Sequence, residues 1–175
     1  MDQLLGRIED WFAKKDHYFR VFADSDSRLE GWFKAELLVL FDGLRRQNEL
    51  QDFDREHEVQ GSKSMERYQI DFRLKIQDQY HYCELKALCI SQALGTPRNL
   101  KFYFRDDHVG VIKDLRKLTA LSLQNSWFLA FVYPSPDLEA WSEAISSIPS
   151  ELSQWKPTTP PPAASRPLYV SLWRG

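Results

Sequence analysis

The hydrophobic period of this chain changes from helical to two between residues 46 and 55, and a chain that carries both periods is expected to lay helices on a sheet. Ahead of the change, Leu29, Trp32, Phe33, Leu37, Leu40, Phe41 and Leu44 share one face of a helix expected over 28–46. Beyond it, Tyr68, Ile70, Phe72, Leu74 and Ile76 alternate with polar residues, as in a strand with one buried face. A shorter strand is expected ahead of it, over 55–60. Gln77-Asp78-Gln79 reads as a hairpin loop into a third strand over 80–88.

Other elements extend this centre. Leu4, Leu5, Ile8, Trp11 and Phe12 predict a first amphipathic helix over 3–15, and the polar run DSDSR at 24–28 offers caps for the second. Beyond Gly95-Thr96-Pro97, residues 100–105 alternate as an additional strand. Asp106-Asp107 can cap a third helix with Val109, Ile112, Leu115 and Leu118 on its apolar face. Residues 127–133 read as a buried strand, and 137–148 as a helix carrying Leu138, Trp141 and Ile145. The run PTTPPPAASRP at 157–167 is a polyproline-like connector, and 168–173 can return as an edge strand. The fold class expected is α/β or α+β, a central mixed sheet flanked by helices. One domain over 1–156 is expected, followed by a connector and strand-like tail over 157–175.

Hydrophobic residues at 43% and charged residues at 27% suit a globular protein and not a disordered one. The longest apolar run, 127–133, is far short of the ~20 residues of a membrane span, so no membrane partner is expected. The acidic start MDQLLGRIEDWF does not read as a secretory signal. Cys83 and Cys89 are too few for a disulfide scaffold, and a reduced, cytoplasmic protein is expected. The formal charge of −2 argues against a wholly basic nucleic-acid binder, but it is unevenly spread. Residues 1–60 carry 9 Lys+Arg against 14 Asp+Glu, a balance of −5, whereas 61–120 carry 11 against 7, a balance of +4. A locally basic middle third points either to an anionic partner or to an ordinary fluctuation among solvated side chains.

Glu36 lies within the apolar stripe of its helix, and a carboxylate there needs a partner, because an unpaired buried charge costs several kcal/mol. The hairpin offers candidates. Asp71 is expected on the polar face of its strand with Gln69, Arg73 and Lys75. Glu84 and Lys86 point to one side of the next strand, and Cys83, Leu85 and Ala87 to the other. Hairpin strands lie ~5 Å apart, so Asp71, Glu84 and Lys86 can converge. Two carboxylates at that distance repel unless a cation bridges them, and oxygen ligands suit Mg²⁺ or Mn²⁺. Cross-strand ion pairs between solvent-facing side chains are the plainer alternative.

Glu36 on a helix, Ile70-Asp71 on a strand and Cys83-Glu84-Leu85-Lys86-Ala87 on the next resemble the PD-(D/E)XK nuclease superfamily, with its restriction-endonuclease-like core of helix, three strands, helix and strand. The resemblance covers roughly 29–133 and departs from the pattern at Ile70, where a proline is common. It implies a metal-dependent nuclease that hydrolyses phosphodiester bonds, with DNA as the expected nucleic acid. Asp71, Glu84 and the Leu85 carbonyl would bind Mg²⁺ or Mn²⁺. Lys86 would position water or stabilise charge, and Glu36 would hold water on the ion or a second ion. Gln92 is a candidate accessory residue, since a polar residue follows the motif in some branches. The helix around 111–118 is similar to the basic helix that follows it. The superfamily also contains catalytically silent members that serve as binding subunits, of nucleic acid or of protein.

Lys101, Tyr103 and Arg105, on one face of the strand expected over 100–105, are candidates for phosphate contact and base stacking, or else a charged guard on an edge strand. Lys113, Arg116 and Lys117 would add phosphate contacts only if they face the cleft, and their period predicts that they are mostly solvated. His81 and Cys83 share a strand face without a second pair to complete a zinc site. A homodimer, a subunit of a larger complex, or an interaction domain docking through its Pro-rich segment remain open as assemblies.

Overall fold

The computed structural model describes residues 1–61, 67–90, 93, 98–105, 110–163 and 166–175. Three helices come first: α1 (Asp2–Ala13), α2 (Asp16–Asp24) and α3 (Glu30–Arg46). An antiparallel meander follows, β1 (Asp52–Gln60), β2 (Arg67–Ile76) and β3 (Gln79–Cys89). Helix α4 (Val111–Leu121) carries the chain to β4 (Ser126–Tyr133), which runs parallel to β3, the connection a parallel pair requires. Helix α5 (Leu138–Ser146) and the two-residue β5 (Lys156–Pro157) precede β6 (Tyr169–Arg174). The result is a mixed α/β fold: one six-stranded mixed sheet, ordered β1-β2-β3-β4-β6-β5, flanked by five helices.

Helices α1, α2 and α3 cover one face, where Phe12, Phe19, Phe33, Leu37 and Phe41 pack on Phe72, Leu85 and Phe131. Helices α4 and α5 cover the other, where Ile112, Leu115, Leu118 and Trp141 pack on Leu88, Phe128 and Trp173. Every residue of β4 is buried, as expected of an unbroken apolar run covered on both faces. Gly110 starts α4 at φ +126°, where a side chain would meet the Tyr103 carbonyl that accepts the Val111 N–H at 2.9 Å. No helix among the described residues is long and apolar enough to cross a membrane.

Three expectations need correction. Residues 16–24, read without an element, form α2, whose Phe19 stacks on Phe33. The stretch expected as a strand over 100–105 is a 3-10 turn, Leu100–Phe102, because its carbonyls bond within the turn instead of across a sheet. The tail strand β6 is not an edge: it lies between β4 and β5 and is buried from Tyr169 to Trp173. The Asp106-Asp107 cap, Val109, and the Gly95-Thr96-Pro97 break lie outside the described residues.

One deviation from period two positions everything that follows. Tyr68 and Ile70 pack on the α4 side of the sheet, but Phe72, Leu74 and Ile76 pack on the α3 side, although all five have even numbers. The strand therefore turns over at Asp71. Its neighbour β1 turns with it: Phe53 lies on the α3 side and Val59 on the α4 side. Pairing holds register on both sides of the turnover, at Arg55↔Phe72 and His57↔Ile70, and Glu56 between them takes φ +53°. Pairing of β2 with β3 stops at Phe72↔Cys83. From Glu84 onward, the edge of β3 that faces β2 is open.

Candidate functional site

The opened edge is closed by side chains. In an extended strand the N–H and C=O of one residue point to the same edge, and alternate residues share that edge. Leu85 N–H donates to Asp71 Oδ2 at 2.8 Å, and Asp71 N–H donates to Glu84 Oε1 at 3.3 Å. Two carboxylates thus take the place of the backbone rungs lost where β2 leaves β3. Further along, the Tyr103 hydroxyl accepts from Cys89 N–H at 3.0 Å and donates to the Cys89 carbonyl at 3.1 Å.

Around this gap, four carboxylates and three ammonium groups interleave. Lys34, on α3, lies 2.6 Å from Asp71 Oδ1 and 2.9 Å from Glu30 Oε1, its neighbour one turn back on the helix. Lys86 bridges Glu30 Oε2 at 3.2 Å and Asp114 Oδ2 at 3.0 Å. Lys117, on α4, donates to Glu84 Oε1 at 2.6 Å and to the Gln69 carbonyl at 2.9 Å. The Lys86 ammonium is the partner of the buried Asp114 Oδ2.

The electrostatics follow from the count. Four carboxylates against three ammoniums leave one excess negative charge, and burial decides where it is relieved. Glu84 is 3% exposed, and its carboxyl is pushed up to about 7, by burial first and by the Asp71 charge second, against the pull of Lys117. Burial also raises Asp114, against the pull of Lys86. Glu30 moves the other way: burial would raise it, but Lys86 and Lys34 outweigh that and lower it. Burial opposes the charge of Lys86, yet Asp114 and Glu30 outweigh it and hold the group above the usual lysine range. Lys86 is therefore an ammonium at neutral pH, a donor and not a base.

Asp71 and Glu84 are brought into contact across the split, and Lys86, two residues along β3, is joined to the cluster through Glu30 and Asp114. Leu85 is held at the same edge, and its carbonyl faces the gap with its N–H. Glu36 is not part of the cluster. Its Oε2 accepts from the Trp11 indole at 2.9 Å and lies 3.1 Å from Lys15, so the partner that the apolar stripe demanded is the α1–α2 side of the protein. The acid that α3 contributes is Glu30, in its first turn. Tyr103 is 6% exposed and structural, Lys101 pairs with Glu143 at 2.6 Å, and Arg105 stacks over Phe102 at 5.5 Å. Those three do not form one face. Lys117, expected in solvent, reaches the gap, whereas Arg116 pairs with Glu151. Gln92 lies outside the described residues. His81 is buried and its Nδ1 accepts from the Trp127 indole at 3.1 Å.

Sequence reasoning misses Glu30, Lys34 and Asp114 as residues of the gap, and places Lys117 there only on the condition that it faces the cleft. Lys34 and Glu30 carried one signal, an i,i+4 pair on a helix face, but such pairs are common on exposed faces. Asp114 and Lys117, at i and i+3 on α4, carried the same weak signal.

Among the described residues, no group of three or more His, Cys, Asp or Glu side chains is arranged to hold a metal ion. The chemistry of the donors can still be tested against one. Asp71, Glu84 and the Leu85 carbonyl present oxygen alone, and Asp114, paired with Lys86, adds a further carboxylate nearby. Hard oxygen donors of this kind fit Mg²⁺ or Mn²⁺, with ammonium groups now lying against them. No family model, curated protein or solved structure matches this chain.

Proposed function

We propose that this protein is a metal-dependent nuclease of the PD-(D/E)XK type, with the restriction-endonuclease-like core that the order of its elements resembles. The observation that carries the reading is the β2–β3 split, where Asp71 and Glu84 replace lost backbone rungs and Lys86 follows on the same strand. Oxygens held by such bonds are positioned before any ligand arrives. Asp71, Glu84 and the Leu85 carbonyl would hold Mg²⁺ or Mn²⁺, which supplies Lewis-acid activation of the phosphodiester and of water. Lys86, kept charged and aimed by Glu30 and Asp114, would stabilise negative charge developing on the phosphate. Lys34 and Lys117 stand on either side of the gap, each paired to a carboxylate, and a bound divalent ion would turn the cluster's excess negative charge into a positive one that an anionic substrate meets. DNA is the substrate we propose.

The second reading is a catalytically silent member of the same fold that binds nucleic acid or protein. One observation favours it: Asp71 and Glu84 each already carry an internal ammonium.

The purified protein should nick or cut DNA with Mg²⁺ or Mn²⁺, and chelation should stop it. Lys86→Ala should lower the rate roughly 100-fold or more while metal-induced stabilisation remains, and Glu84→Ala should remove both. Equal cleavage by wild type and Lys86→Ala would assign the activity to a contaminant. No cleavage of any single- or double-stranded substrate with either metal would give the lead to the silent reading.

A further inference from the structure

We infer that Lys34 is a built-in competitor for the divalent cation, holding the Asp71 oxygen the cation needs until the cation displaces it. The inference rests on the metal-dependent reading above and deepens it. Asp71 has two carboxylate oxygens. Oδ2 is committed to the Leu85 N–H at 2.8 Å, a bond that closes the open edge of β3. Oδ1 is the oxygen that no backbone group holds in place, and Lys34 Nζ lies on it at 2.6 Å. A metal ion approaching that oxygen and Lys34 therefore contend for it.

The three lysines of the cluster are not equivalent in this respect. Lys86 rests on Glu30 and Asp114, neither of them a ligand in the proposed set, and can stay where it is. Lys117 is anchored by the Gln69 backbone carbonyl as well as by Glu84. Lys34 has a second carboxylate, outside the proposed ligand set, to retreat to. Glu30 Oε1 lies 2.9 Å away on its own helix, and the side chain is 20% exposed, on a flexible four-carbon stem. Giving up Asp71 leaves it paired and wetted, not stranded. The same movement exchanges one cation for another on Asp71 and, with Lys34 still beside Glu30, turns the cluster's single excess negative charge into a single positive one when the divalent ion enters.

The test is Mn²⁺ binding to the full chain, read by titration calorimetry with no nucleic acid present, for wild type, Lys34→Met and Lys34→Arg. Lys34→Met should tighten Mn²⁺ binding roughly tenfold to a hundredfold, the range that one charge-assisted hydrogen bond carries. Lys34→Arg keeps a cation on Asp71 and should bind no more tightly than wild type. If Lys34→Met unfolds, Lys34→Gln makes the same comparison. Binding by Lys34→Met but not by wild type would also support the inference, with the lysine as a closed latch. Equal Mn²⁺ affinity in wild type and Lys34→Met would overturn the competitor and leave the metal reading intact. Equal tightening by methionine and arginine would overturn it too, since charge would then not be the cause. No Mn²⁺ binding by any of the three would defeat the metal reading, and this inference with it.

Discussion

Glu84→Gln is expected to stabilise the metal-free protein at pH 8 and to change little at pH 4. Glu84 is 3% exposed, and its carboxyl is pushed up from 4.5 to about 7, chiefly by burial and next by Asp71. A folded-state pKa above the unfolded value means that the folded protein binds the proton more tightly. The group's contribution to stability is therefore complete below about pH 4.5 and is lost as pH rises through about 7. The interval between those values corresponds to a loss of ~3 kcal/mol. Glutamine does not ionise, so the variant keeps what wild type loses, and its side-chain oxygen can still accept from Asp71 N–H and Lys117. Weakening the bond to the Lys117 ammonium subtracts part of that gain, and ~1–3 kcal/mol in favour of the variant is expected at pH 8. For a chain of this size each kcal/mol is worth roughly 2–4 °C in Tm. Urea unfolding of both proteins in EDTA, stepped from pH 4 to pH 8, measures the difference directly. A difference that does not change with pH, or a variant less stable than wild type at pH 8, would refute the reasoning. The Lys117 pair would then outweigh the burial of Glu84.

Two further outcomes test the closure of the β3 edge. Asp71→Ala leaves the Leu85 N–H without its acceptor and should cost ~1–3 kcal/mol in urea unfolding, whereas Asp71→Asn, which retains an acceptor oxygen, should cost clearly less. Tyr103→Phe removes both bonds to Cys89 and should cost ~1–3 kcal/mol, with faster hydrogen exchange at the Cys89 amide as its local signature.

Much of the frame was legible in the chain itself. The seven-residue apolar stripe between Leu29 and Leu44 specified α3, and the alternation from Tyr68 to Ile76 specified a strand of the right length. The unbroken run around 127–133 specified a strand buried on both faces. The hairpin made it possible for Asp71 and Glu84 to meet, since it brings its two strands side by side, and the register of β2 on β3 then placed them opposite each other. Glu36 reads as a carboxylate in need of a partner, but nothing along α3 says that the partners will be Trp11 and Lys15 and not the hairpin acids.

The tertiary structure decided the rest. Strict alternation would have kept Ile70 and Phe72 on one face; packing put them on opposite faces, and the strand turned over at Asp71 to allow it. That turnover opened the β3 edge, and the open edge gave Asp71, Glu84 and Tyr103 backbone groups to bond. Which charges then met which was settled by how α3 and α4 cross the gap, bringing Glu30, Lys34, Asp114 and Lys117 from segments far apart in the chain. Periodicity records only which side of its own element a residue occupies. The partner it finds there depends on the register and packing between elements, which residues distant in sequence determine together.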